Sequence, residues 1–143
     1  MTIHYPEIAE IVRRDPRYPY EAYEFMFEAL SHTQKMLGRP PAKVERNPDS
    51  EHHVSGPEIL RGGVDLARAE FGLLARTVFH IWGVRRTDDI GELIFNLIDA
   101  RLMSKTESDH RSDFHDVFDL DRALTEGYTI SLDELAWSKR GSR

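Results

Sequence analysis

The residues in this chain best suited to chemistry are its seven histidines, several of them set close to carboxylates. His52 and His53 are adjacent. His110 and His115 lie among Asp109, Asp113, Asp116, Asp119 and Asp121. Neutral imidazoles and carboxylates are ligands for zinc and other transition ions. The order that such a site needs is missing. There is no H-E-x-x-H pair, and the aspartates lack the bend glycine and closing glutamate of a calcium loop. Neighbouring histidines also point apart in most backbones. An acidic, solvated loop is the better account, so no metal ligand and no cofactor is assigned.

Nucleophilic chemistry fares no better. Ser55 stands near His53, but HVSGP is not the G-x-S-x-G turn that exposes a serine nucleophile. Ser55-Gly56-Pro57-Glu58 instead has the spacing of a helix capping box. No cysteine is present, which excludes thiol nucleophiles, zinc-thiolate sites and disulfides. G-x-G-x-x-G and the P-loop pattern are both absent. No catalytic residue is assigned, and the balance leans away from an enzyme.

One further pair has a chemistry of recognition. Arg85 and Arg86 sit in a short turn after Trp82 and before a strongly periodic segment. Guanidinium forks beside an indole suit an acidic protein surface or a phosphate backbone. The neighbours weigh against phosphate: Asp88, Asp89, Glu92 and Asp99 follow, then the aspartates of 109–121. The whole chain carries a net charge of -6, spread evenly over its two halves. The candidate binding residues are therefore Trp82, Arg85 and Arg86, with His52 and His53 in a separate polar stretch. Another protein is the expected partner, and nucleic acid is disfavoured by the acidic charge. The bland alternative is that both arginines pair with Asp88, Asp89 or the acidic stretch on the surface.

The elements that must position these residues read mainly as helices. Residues 6–14 predict a first helix with Ile8, Ile11 and Val12 on one face, stopped by Asp15-Pro16. Residues 19–37 predict a second, its stripe of Tyr20, Tyr23, Phe27, Leu30 and Leu37 widened by Phe25, Met26 and Ala29. Residues 38–56 form a long, proline-punctuated connection, with 38–54 expected to be mobile. Ser55 then caps a third helix that buries Leu60, Val64, Ala67 and Phe71. The Gly62-Gly63 pair within it should let another helix approach closely. Gly72 ends it. A fourth helix is expected to pack with Leu74, Val78, Ile81 and Trp82 and to close at Gly83. Thr87 or Asp89 should cap a fifth, with Ile90, Leu93, Ile94, Leu97 and Ile98 in clear helical period. Beyond Leu102, LMSKT and FHDVFDL predict two strands of a hairpin around ESDHRSD. Short helical turns follow Asp121, including a second capping box at Ser131, and the tail after about 137 should fray.

Several of these blocks together resemble a bacterial family of small single-domain proteins. They are RYPYEAYEFMFEAL at 17–30, HVSGPEIL at 53–60, ARTV at 75–78, WGVRRTDDIGELIFNLID at 82–99 and SKTESDHRSDF at 104–114. The resemblance covers roughly Arg17 to Asp121. It implies one domain and carries over no activity, cofactor or catalytic residue.

At 143 residues the chain fits a single domain able to bury its own core. The N-terminus has no basic stretch followed by an apolar run, and no segment approaches the roughly 20 apolar residues of a membrane span. The expectation is a cytoplasmic, mainly α domain of about five helices with a C-terminal β-hairpin, in a winged-helix-like order. Its expected role is that of a protein-binding adaptor or regulator. The alternatives are nucleic-acid or ribonucleoprotein binding through the same turn, and, with least support, an enzyme with a His/Asp metal site.

Overall fold

The computed structural model describes residues 4–38 and 53–125. Six α-helices run through them: α1 (Pro6–Arg14), α2 (Tyr20–Met36), α3 (Gly56–Phe71), α4 (Ala75–Ile81), α5 (Thr87–Asp99) and α6 (Leu120–Thr125). A 3-10 turn at Gly72–Leu74 joins α3 to α4, and another at Arg111–Phe114 lies against α3 and α5. His52, most of the 38–54 connection, the Ser131 box and the tail lie outside the described residues.

The helices share one core. Ile8 and Ile11 of α1 meet Tyr23, Phe25, Met26 and Ala29 of α2, Leu60, Val64 and Ala67 of α3, and Leu93, Ile94 and Leu97 of α5. The closest seam is between α2 and α3. A Cβ built on Gly62 would lie 1.8 Å from Thr33 Oγ1 and 3.2 Å from the α2 backbone, so only glycine fits. Thr33 donates its hydroxyl to the Ala29 carbonyl at 2.6 Å, and the same oxygen is the atom that Gly62 packs against. Gly63 has ordinary clearance from Ala29, so Gly62 alone of the pair sets the helix spacing. The Ser55 box forms as its spacing predicts. Ser55 Oγ accepts the Glu58 N–H at 3.3 Å, and Glu58 Oε1 accepts the Ser55 N–H at 2.9 Å.

The β-hairpin is not there. No strand occurs among the described residues, and with it goes the winged-helix-like arrangement. The polar residues of 102–120 satisfy their own backbone instead. Asp109 Oδ2 accepts the Thr106 N–H at 2.8 Å, and Asp113 Oδ2 accepts the His110 N–H at 2.9 Å. Asp116 takes a left-handed φ of 45°. The apolar residues of the second expected strand follow no two-residue period once placed. Phe114 and Leu120 are buried, while Val117 and Phe118 pack at the core edge.

Phe114 explains why this segment lies flat. A Cβ on Gly91 of α5 would sit 2.7 Å from the Phe114 Cβ, and one on Gly56 of α3 3.2 Å from its ring. Two glycines on two helices thus open a slot that the phenyl ring fills, edge-on to Phe95. Thr87, fully buried, donates its hydroxyl to the Phe114 carbonyl at 2.7 Å and accepts the Val117 N–H at 3.0 Å. Backbone groups that a hairpin would have paired across a ladder are held by a helix side chain.

Candidate functional site

The turn that carries Trp82, Arg85 and Arg86 is built by the end of α4. The Gly83 N–H bonds the His80 carbonyl at 3.0 Å and the Val84 N–H the Phe79 carbonyl at 2.8 Å, with Gly83 at a φ of 82°. This is a Schellman end, which turns the chain sharply and buries Val84. Arg86 is extended and leads into α5. Asp89 reaches back to accept the Arg85 N–H at 2.9 Å and the Arg86 N–H at 3.1 Å. It also accepts the Tyr18 hydroxyl at 2.6 Å. Burial, and then the Asp89 carboxylate, hold that phenol above its ordinary range.

The acidic residues that weighed against phosphate binding therefore have structural work. Asp88 accepts the Asp116 N–H at 2.9 Å and lies 2.7 Å from His115 Nδ1. Its burial pushes its pKa up, but these two partners win, and it stays below the usual carboxylate range. Glu92 meets Arg17 at 3.2 Å and Arg111 at 2.8 Å. Asp15 takes a two-pronged contact from Arg17 and the Asn96 amide at 3.1 Å. The Arg17 contact holds its carboxyl far below the ordinary value, against the opposing effect of burial.

The arginines themselves face outward. Arg85 donates to His80 Nδ1 at 3.2 Å, while His80 Nε2 lies 2.7 Å from Asp121 of α6. The two contacts together need the tautomer with its proton on Nε2. Arg86 is exposed and makes no ion pair among the described residues. Neither guanidinium binds Asp88 or Asp89, whose carboxylates serve backbone N–H groups and Tyr18 or His115. Trp82 is half-buried and stacks on Phe79, with Phe25 and Phe71 around it. It belongs to an aromatic cluster and is only partly exposed.

Beside this turn, α4 has rotated from its expected packing. The buried residues of α4 are Ala75 and Phe79. Leu74 and Ile81, expected in the core, are 63% and 75% exposed, and Leu73 is 96% exposed. The 3-10 turn resets the helical phase between α3 and α4, with Gly72 at a φ of 54°. Phe79 and Trp82 then claim the inner side. Leu74, Val78 and Ile81 imitate a buried stripe, so periodicity alone could not tell inner from outer.

At the other end of α5 lies a cavity of about 480 Å³. Leu30, Ile59, Ile94 and Ile98 supply apolar walls, and Gln34, His53, Arg101, Lys105, Asp109 and Asp113 the polar lining. His53 Nε2 is 2.9 Å from Asp109 Oδ2, both side chains largely buried. Ser55 also lines this space, but its hydroxyl is engaged as the α3 cap. His53 is thus brought to this cavity and not to the arginine turn. The 13 residues of α5 hold the two regions roughly 20 Å apart.

The other histidines are dispersed. His32 pairs with Asp65, His80 with Asp121 and His115 with Asp88. Among the described residues, no three of His, Cys, Asp or Glu gather as a metal site would require. Sequence reasoning missed the cavity. One signal was available: the α5 pattern stops near Leu102 with no glycine or asparagine to end it. Arg101 fills that position at a φ of 64°.

No protein-family model, curated protein or solved structure matches this chain. No helix among the described residues is long and apolar enough to cross a membrane.

Proposed function

We propose that this chain is a cytoplasmic, non-enzymatic adaptor or regulator that binds another protein through the outer face of α4 and the turn at 82–87. The observation that carries this reading is the exposure of Leu73, Leu74 and Ile81 in one short stretch. Clustered apolar exposure of this kind marks interaction sites. Exposed Arg76, Arg85 and Arg86 lie in the same stretch, and the partly exposed Trp82 adjoins it. The partner that fits is an amphipathic segment with an apolar edge rimmed by carboxylates. Nucleic-acid binding has lost the wing on which it depended. Membership of the bacterial family that the sequence blocks resemble belongs to the same proposal. Those blocks fall on α2, the α3 cap, α4, α5 and the Phe114 segment, which together build one core.

Capture from native lysate, with and without nuclease, tests the reading. The wild-type chain should retain a nuclease-resistant protein partner, and the double substitution Arg85→Ala with Arg86→Ala should weaken its capture while leaving the melting temperature nearly unchanged. Equal capture by the double variant would remove the turn from the interface. A partner set lost on nuclease treatment would favour nucleic acid. Self-association of the purified chain through this face would make the occupant a second copy.

A further inference from the structure

The cavity at the C-terminal end of α5 has the size of a small-molecule site, and two carboxylates and two strong cations line it. Its two carboxylates are already engaged. Asp109 accepts both the N–H and the hydroxyl of Thr106, at 2.8 and 3.1 Å, and faces His53. Asp113 accepts the His110 N–H. Its two strong cations are not engaged: Arg101 and Lys105 line the cavity, stand exposed at its mouth, and make no ion pair among the described residues.

Arg101 is also held in an unusual way. It occupies the left-handed position of a Schellman end, where its N–H bonds the Ile98 carbonyl and the Leu102 N–H bonds the Leu97 carbonyl, each at 2.9 Å. Glycine suits that position, since any side chain there crowds the backbone. A positive charge there suits the helix macrodipole, but any basic residue of the last turn would supply that without a left-handed φ. What the arginine does is set a guanidinium at the entrance of an apolar pocket.

We propose that this cavity binds a small amphipathic carboxylate, its apolar body against Ile59, Ile94 and Ile98 and its carboxylate between Arg101 and Lys105. A guanidinium fork matches a carboxylate in geometry, and the apolar walls favour a chain or ring behind it.

Calorimetric titration of the full chain with decanoate, 1-decanol and acetate separates the contributions. Decanoate should bind saturably at one site, decanol at least about tenfold more weakly, and acetate not measurably. Arg101→Gly should weaken decanoate binding by about tenfold while the melting temperature stays level or rises. Lys105→Gln should weaken it less, and Arg14→Gln, on α1, not at all. Absence of decanoate binding would overturn the proposal. So would equal binding of decanol, or undiminished binding by Arg101→Gly. A fall in melting temperature on Arg101→Gly would make the arginine structural and overturn its assigned role.

Discussion

At its N-terminal end, α5 begins with Thr87, Asp88 and Asp89, and each of the three holds a different piece of backbone. Thr87 binds Phe114 and Val117, Asp88 binds Asp116, and Asp89 binds Arg85 and Arg86. At its C-terminal end, the same helix stops on an arginine in a conformation that suits glycine, beside unfilled space. One end spends its polar groups on the fold. The other leaves two cations that make no ion pair among the described residues, beside a cavity. Polar residues with complete internal partners explain stability, whereas strain and vacancy invite a functional account.

Phe114→Ala should break this contrast most severely. The ring plugs the slot between Gly56 and Gly91. Its loss should cost about 3–5 kcal/mol and free the 102–118 segment, measured by denaturant unfolding. Thr87→Val tests the N-terminal end alone. It keeps the shape and removes both bonds, stranding the Phe114 carbonyl and Val117 N–H, for a loss of about 1–3 kcal/mol. An unchanged unfolding midpoint would mean that water replaces the hydroxyl there.

Acid should erode the carboxylate contacts along α5 more gently. The folded pKa values of Asp15 and Asp88 lie below the unfolded value of about 3.9, so their stabilisation is complete above that pH. It is lost as pH falls through the depressed folded values. From these groups the melting temperature should be level between about pH 7 and 5 and fall below about pH 4. Asp15→Asn should lower it at neutral pH and reduce the acid-dependent fall. A fall of equal depth in that variant would exclude Asp15 as a source.

The contrast also marks what could be read from residue order. Helix extents were legible because their stops are local chemistry: Asp15-Pro16, the Ser55 box, Gly72 and Gly83. The close α2–α3 seam was legible in the Gly62-Gly63 pair. The hairpin was misread because apolar residues between 102 and 120 look like short strands. Their pairing partners are a threonine and two glycines on other helices, which no local pattern announces. The phase of α4 is not legible because Leu74, Val78 and Ile81 imitate a buried stripe. Of the candidate residues, Trp82, Arg85 and Arg86 do gather at one turn. His53 belongs to a cavity whose walls come from α2, α3 and α5, so it exists only once those helices pack.

The outer face of α4 is either a free surface for a partner or a face on which stability depends. Ile81→Asp, followed by thermal unfolding and partner capture on the same preparation, decides between them. A charged group on an exposed face should leave the melting temperature unchanged or slightly higher and abolish capture. A large drop in melting temperature, or capture as strong as that of the wild-type chain, would contradict it.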